Sequence, residues 1–393
     1  MKKLRNKIWE QFHEFTTNII PSVSSRQRRD NSACKFQRAT LLKLGSHYNP
    51  LLARDCSTYQ FPSKMPFRVG TPFRKLLFHN NRGIALITVI LIIVILVAVV
   101  IELNRSSRAD IYDAANLSDG IKLTYIAKSG FYAAAALLSN PQNGYDTLLD
   151  GWAHMETISL QSNSFFPEGY FITRVEDEAG KIPLNKLTNG SEYSQILGKL
   201  LSQPEFKLNE RQITEIVASI EDWIDTDDIT SPYGAESDYY SSLDPPYKAK
   251  NARFDCIEEL LMVKGITKEI FYGTKEKPSL AQYVTADGNG VININTAPKM
   301  VLRSLSDSIS PELADKIDEY RTKESNHSSL ADKQWLFGME GVAIMPEITG
   351  LLDVKSNYFK IISTGKMNNM ARTISGIVQR SDQIIKIIKW RQD

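Results

Sequence analysis

The stretch "DTDDITSPYGAESD", Asp225 to Asp238, crowds carboxylates at spacings that suit a hard cation. From Glu221 to Glu259 the chain carries 11 Asp and Glu against three Lys and Arg. Such a density repels itself unless water or a bound cation neutralises it. Asp225, Asp227 and Glu236 fall at positions 1, 3 and 12 of a calcium-loop spacing. Thr230 stands where an EF-hand needs Gly, and Ile229 stands at its polar position 5, so the loop is not an EF-hand. Pro232 and Gly234 supply a turn that would return Glu236 and Asp238 toward Asp225 and Asp227. The expected ligand set is Asp225, Asp227, Asp228, Glu236 and Asp238, with Ca²⁺ as the fitting ion. A solvated acidic loop is the alternative reading. No His or Cys in the loop favours zinc, and Cys256 is distant from it.

A second chemical position is the junction Gly83–Ile84. Ile84 to Ile101 is 18 residues without a charge, and Thr88 is its one polar residue. As a helix it would span roughly 27 Å, close to the thickness of a hydrocarbon core. Residues 1–83 hold 16 of the 47 Lys and Arg and four of the 45 Asp and Glu, a net of +12. The remainder therefore carries −10. A basic front, an apolar span and an acidic remainder predict a single-pass protein whose front stays cytoplasmic and whose acidic part is translocated. No A-x-A-like signal-peptidase site follows the run. A plain single-pass anchor remains the alternative. One cysteine, Cys256, follows the span. A lone thiol forms no intrachain disulfide, so packing and bound metal are the candidates for holding the exported part together.

The elements that would position these residues follow from periodicity. Leu117, Ile121 and Tyr125 recur every four residues, and "FYAAAALL", Phe131 to Leu138, favours helix. Asn140 and Pro141 mark a stop, so one helix is expected from about Ile84 to about Leu138. "GYFITRVEDEAGKIPLNKL", Gly169 to Leu187, reads as a strand, a turn and then an N-cap at Asn185. "EYSQILGKLLS", "NERQITEIVASIEDWI", "FDCIEELLMV" and "PELADKIDEYR" have helical spacing. Tyr358–Thr364, Ala371–Arg380 and Ile384–Trp390 are β-rich and divided by Gly, Asn and Asp turns. The expected class is α+β: a long N-terminal helix and an antiparallel sheet, interrupted by a large helical insertion. The expected divisions are a leader over 1–83, whose true start could be Met65, and a transmembrane helix over 84–103. The exported helix and first strands fill 104–183, the insertion 184–345, and C-terminal strands 346–393.

A Gly closing a basic leader ahead of an unbroken apolar helix resembles the processing site of type IV prepilin-like proteins. The resemblance implies cleavage by the prepilin peptidase between Gly83 and Ile84. Most of that family carries Glu five residues into the mature chain, where this sequence has Thr88. Minor pseudopilin K is the subtype that lacks this Glu. "SIEDWIDTDDITSPYGAESDYY", "NARFDCIEELLMVKGIT" and "ININTAPKMVLRSLSDSI" resemble that family in their order, as do "YFKIISTGKM" and "ARTISGIVQRS". The chain is thus similar to minor pseudopilin K of the type II secretion pathway. The resemblance implies a pseudopilin fold, a calcium-binding insertion and a place in the inner membrane with a periplasmic C-terminal domain. It also implies partnership with minor pseudopilins I and J and with other pseudopilins. The contact would use the exported half of the long helix, around Leu117 to Leu138. Thr88 offers no carboxylate to a subunit's N-terminal amine, which suits a position at the pseudopilus tip, initiating or capping assembly.

The rival reading is a membrane-anchored periplasmic DNA-binding protein of an uptake system. "ELLMVKGITKEIF", Glu259 to Phe271, resembles a helix-hairpin-helix, but Thr267 occupies its second Gly position and its surroundings are acidic. No nucleic-acid partner is expected. Nor is an enzyme: there is no G-x-S-x-G, H-E-x-x-H or phosphate loop, and His154 and His327 are isolated in sequence.

Overall fold

The computed structural model describes residues 81–141 and 143–393. Most of the leader, including Met65, lies outside the described residues. Helix α1 runs from Asn81 to Ser139 and stops at the Asn140–Pro141 breaker. It is the one described helix long and apolar enough to cross a membrane, and its most apolar 18-residue window has a mean hydropathy of 3.7. Its residues 83–118 are exposed throughout. An apolar surface of this kind requires lipid or partner helices around it. The Thr88 hydroxyl donates to the Ala85 carbonyl at 2.9 Å, so the polar group is satisfied within its own helix.

From Ile121 onward the chain forms a separate compact unit. A short helix α2, Met155–Ser159, precedes strand β1, Tyr170–Asp177. After the insertion come β6, Tyr358–Met367, β7, Met370–Ser381, and β8, Ile384–Gln392. These make an antiparallel sheet in the order β1-β6-β7-β8. Strand β6 alternates half-buried and buried residues along its whole length, as period-2 patterning demands of a sheet covered on one face. The covering element is α1: Ala127, Phe131, Ala134 and Leu138 pack on Phe171, Val175, Phe359, Ile361, Ile374 and Val378. Gly130 marks the closest approach. A Cβ there would overlap the Thr173 and Ser363 hydroxyls, which pair at 2.8 Å across the β1–β6 register.

The insertion has its own core, from Ile182 to Leu352. Its helices are α3, Glu192–Leu201, α4, Glu210–Ile224, α5, Ser237–Ser241, and α6, Lys268–Tyr272. They continue with α7, Lys299–Leu305, and α8, Pro311–Thr322, followed by the short α9, Gln334–Phe337, and α10, Pro346–Thr349. Two parallel pairs of two-residue strands seal its base: β2 (Ile182–Pro183) with β3 (Val284–Thr285), and β4 (Ile292–Asn293) with β5 (Leu352–Asp353). Three sequence expectations change. Ile257–Met262 is a 3₁₀ helix rather than an α-helix. Asn185 caps nothing; its side chain clamps Phe254 and the Ala286 carbonyl, while α3 starts from Ser191. His327 is not isolated in space: it lies against Tyr145 and 3.4 Å from Asp150.

A buried polar hub joins insertion to sheet. The Asp177 carboxylate accepts from Ser356 Oγ, Thr296 Oγ1 at 2.5 Å, Asn293 Nδ2 at 3.3 Å and the Ala179 amide at 2.8 Å. Asp146 pairs with Arg380 of β7 at 2.5 Å and accepts from the Ser356 amide. The donors Asn293 and Thr296, Ser356 and Arg380 come from three stretches far apart in sequence, so the hub fixes their mutual position.

Candidate functional site

The acidic loop follows α4. Asn209 caps that helix with a reciprocal capping box to Gln212. Its apolar face, Ile216, Ile220 and Trp223, turns into the insertion core. The same register buries Ser219 and Asp222, both 0% exposed. Asp225, three residues after Asp222, is the C-cap in extended conformation. The i, i+3 spacing sets both carboxylates on one side of the helix end. That end carries no basic residue, so Asp222 and Asp225 face the negative pole of the helix dipole.

Glu236 comes in from the other side. It precedes α5, yet its carboxylate does not cap that helix. Aromatic packing holds its segment in place: Tyr240 stands edge-on to Trp223 at 5.1 Å and stacks on Tyr247 at 5.2 Å. The Tyr240 hydroxyl accepts from the Lys264 amide. Lys264 Nζ donates to the Tyr233 and Gly234 carbonyls and pairs with Glu215. Gly234 is obligatory for a second reason, since a Cβ there would overlap the Asp222 carboxylate.

The result is a triad. One carboxylate oxygen from each of Asp222, Asp225 and Glu236 lies within 4.8 Å of the others. Asp222 Oδ1 and both oxygens of Glu236 are buried without a hydrogen-bond partner among the described residues. Burial, and then the charges of Asp222, Asp225 and Asp228, push the Glu236 carboxyl up to about 8. Burial also raises Asp225, with Asp227 adding to the effect. Buried, unpartnered carboxylate oxygens this close together cost several kcal/mol unless protonated or bridged by a cation. Oxygen-only donors match Ca²⁺ or Mg²⁺ and not zinc. An open cavity of about 430 Å³, lined by Asn185, Glu221, Asp225, Asp227 and Arg253 among others, gives solvent a way to Asp225.

Of the five residues expected from sequence, Asp225 and Glu236 enter this triad. Asp227 spends Oδ1 on the Ile229 amide, and Asp228 Oδ1 accepts from the Ser237 amide. Asp238 is exposed. These three lie outside the triad. Asp222 was missed: it reads as helix interior, and its signal was the i, i+3 step to Asp225.

In the hairpin-like segment two polar side chains are engaged within the protein. Thr267 caps α6, and Lys264 is consumed by Glu215 and two carbonyls. Gly83 stands open, with nothing within 4 Å of where a Cβ would lie. On α1, Leu117, Ile121 and Tyr125 are exposed, whereas Leu123, Ala127, Phe131, Ala134 and Leu138 are buried. The helix from about Leu123 onward is therefore largely committed to its own sheet, which narrows the surface left for partners.

A long apolar-to-amphipathic helix laid on a four-stranded antiparallel sheet, with a helical insertion between β1 and β6, defines a pseudopilin-type α+β fold. Residues 180–286 match the family model for type II secretion system protein K. Type II secretion system protein K of Aeromonas hydrophila is 23% identical over 303 residues, covering 71% of this chain and 86% of that protein. The protein K of Pseudomonas aeruginosa is 24% identical, covering 77% and 89% respectively. The fold matches a solved structure of the GspK-GspI-GspJ complex from the enterotoxigenic Escherichia coli type 2 secretion system. The TM-score is 0.56 at 18% identity, over 71% of this chain and 99% of that one. The chain is thus similar to type II secretion system protein K, in sequence across most of its length and in fold.

Proposed function

We propose that this chain is the minor pseudopilin at the tip of a type II secretion pseudopilus, initiating or capping its assembly for protein export across the outer membrane. The observation that carries the reading is a helix of pilin type joined to a sheet into which a whole helical domain has been inserted. Such bulk beside the sheet would obstruct a subunit stacked above, while α1 still offers an apolar span for packing below. Thr88 fits the terminal place, since its hydroxyl is spent on Ala85 and no carboxylate is offered to another subunit's amine. Partners of the same kind as those in the homologous complex, minor pseudopilins I and J, would meet the exposed strip at Leu117, Ile121 and Tyr125. The role is structural, in the inner membrane, with the domain after α1 in the periplasm.

Two further properties belong to this reading. The prepilin peptidase cuts between Gly83 and Ile84, where the open backbone around Gly83 admits it. Asp222, Asp225 and Glu236 hold a calcium ion, whose chemistry here is charge neutralisation that pins the loop after α4 to the segment before α5. Mass spectrometry of the membrane-extracted protein tests the assignment. The mature chain should begin at Ile84, and Gly83→Val should leave the leader in place, because the peptidase needs almost no side chain there. A wild-type N-terminus upstream of Ile84 would leave only a plain anchor.

A further inference from the structure

We infer that the uncovered face of the β1-β6-β7-β8 sheet is a docking surface for an acidic protein, separate from the strip on α1. Helix α1 covers the other face, through Phe171, Phe359, Ile374 and Val378. Side chains alternate along a strand, so the residues between these lie on the uncovered side. The pairing register orders them in rows across the sheet. One row is Arg174, Ile362, Ser375 and Arg391, and the next is Glu176, Lys360, Ile377 and Lys389. The register shift between Ile377 and Val378 makes Ile388 the extra residue of β8 beside the second row, and Ile388 is 38% exposed.

Charge on this face runs against that of the protein around it. Residues 84–393 hold 31 Lys and Arg against 41 Asp and Glu, a net of −10. The four strands set Arg174, Lys360, Lys366, Lys386, Lys389 and Arg391 on the uncovered face, against the one carboxylate of Glu176. These cations frame an apolar centre. Ile362 and Ile377 sit diagonally on the two middle strands, with Ile172 beyond them on β1 and Ile388 on β8. An apolar centre inside a charged rim is the anatomy of a protein–protein contact. Bases of a single-stranded nucleic acid would call for aromatic platforms, whereas this centre is made of isoleucine.

The protein's own contacts show which groups this rim accepts. Where the insertion reaches β8, its Asp287 pairs with Lys389 at 2.6 Å and its Glu258 with Arg391 at 3.5 Å. Arg391 also holds Asp393, and Arg174 holds Glu176 at 2.8 Å. Lys360, Lys366 and Lys386 make no ion pair among the described residues, and Lys386 is exposed while the other two are half-buried. A partner that brings carboxylates around an apolar ridge would complete the rim as Asp287 and Glu258 do along β8. A basic partner would instead meet uncompensated lysines. Charge of this kind selects among partners and speeds encounter with the matching one at low salt.

The test uses the full-length protein in its own membranes, with a benzophenone amino acid at Ile362 and, as control, at the exposed Ser202 that ends α3. Illumination should join Ile362, but not Ser202, to one protein of net negative charge, identified by mass spectrometry. That protein, purified, should bind the full-length chain in detergent at a rate that falls as salt rises. Combining Lys366→Glu with Lys386→Glu should slow association on the order of tenfold. Reversing acidic residues on the partner should restore the rate with this double variant. Lys366→Gln with Lys386→Gln, which removes charge without reversing it, should give a smaller fall in the same direction and stands in if the first pair lowers the melting temperature. Adducts to lipid alone, to a second copy of this chain or to nothing would overturn the inference, as would an association rate indifferent to salt and to both reversals. The α1 strip is tested separately, because neither lysine lies on that helix.

Discussion

At the scale of single residues, the molecule keeps its costs in two places. Asp222 and Glu236 are 0% and 1% exposed, with orphaned oxygens at the negative end of a helix. Calcium binding only the folded state would add about 2.7 kcal/mol at a hundredfold excess over its Kd. Millimolar calcium should therefore raise the melting temperature of a soluble form beginning near Ser106, with magnesium doing less. Asp222→Asn combined with Glu236→Gln should abolish the rise, whereas Asp238→Asn should leave it. Equal melting temperatures in calcium and in chelator, for protein shown metal-free by elemental analysis, would leave the loop merely solvated. The second place is Asp177, where burial outweighs four hydrogen bonds and pushes the carboxyl up to about 6 from 3.8. Protonation thus occurs earlier in the folded state than in the unfolded one. The stability this contributes is fully present below about pH 4 and is lost as pH rises through about 6. Two units correspond to about 3 kcal/mol. Denaturant titrations at pH 4 and pH 6.5 should show wild type losing stability relative to Asp177→Asn by an amount of that order. Parallel profiles for the two proteins would contradict it.

At the scale of elements, α1 and the sheet meet through a glycine. Gly130→Ala would gain about 1 kcal/mol of helix propensity. The added methyl overlaps the buried Thr173–Ser363 hydroxyl pair, and overpacking of that kind costs about 1–3 kcal/mol. The second effect wins, so chemical denaturation should show Gly130→Ala destabilised, while Gly198→Ala, open on α3, should be neutral or stabilising. A Gly130→Ala protein as stable as wild type would mean that α1 lies less closely on the sheet. Elements of this size were legible in the sequence where periodicity was sustained: α1, α3, α4, α8 and β6 to β8 follow the expected stretches within a few residues. The two-residue strands were not, because Ile182 finds its partner Val284 about a hundred positions away and no local pattern records it. Within the 3₁₀ turn Ile257–Met262, Glu259 turns inward to accept from Lys250 and the Asp255 amide, a contact its apolar spacing does not reveal. Asp222 was hidden for the opposite reason: its helix was read correctly, but a buried carboxylate on an apolar face was not separated from the exposed acids beside it.

At the scale of the whole molecule, three features answer one another. A membrane-length apolar helix leads the described chain, an antiparallel sheet covers its continuation, and a helical insertion bearing a triad of clustered carboxylates adds bulk. Lys389–Asp287 at 2.6 Å and the Thr296–Asp177 hydrogen bond at 2.5 Å tie that insertion to the sheet, so load on one part reaches the other. Past residue 118, where α1 begins to pack on its own sheet, Ile121 and Tyr125 form a strip that stays exposed, at 51% and 65%. A tip subunit needs such a strip for its neighbours. The most direct measurement is sedimentation of the soluble form beginning near Ser106, mixed at micromolar concentration with the corresponding domains of minor pseudopilins I and J from the same organism. A single species containing one copy of each is the predicted result, lost when Ile121 and Tyr125 are both replaced by Asp. Three proteins that sediment separately would contradict the assignment of this chain to the pseudopilus tip.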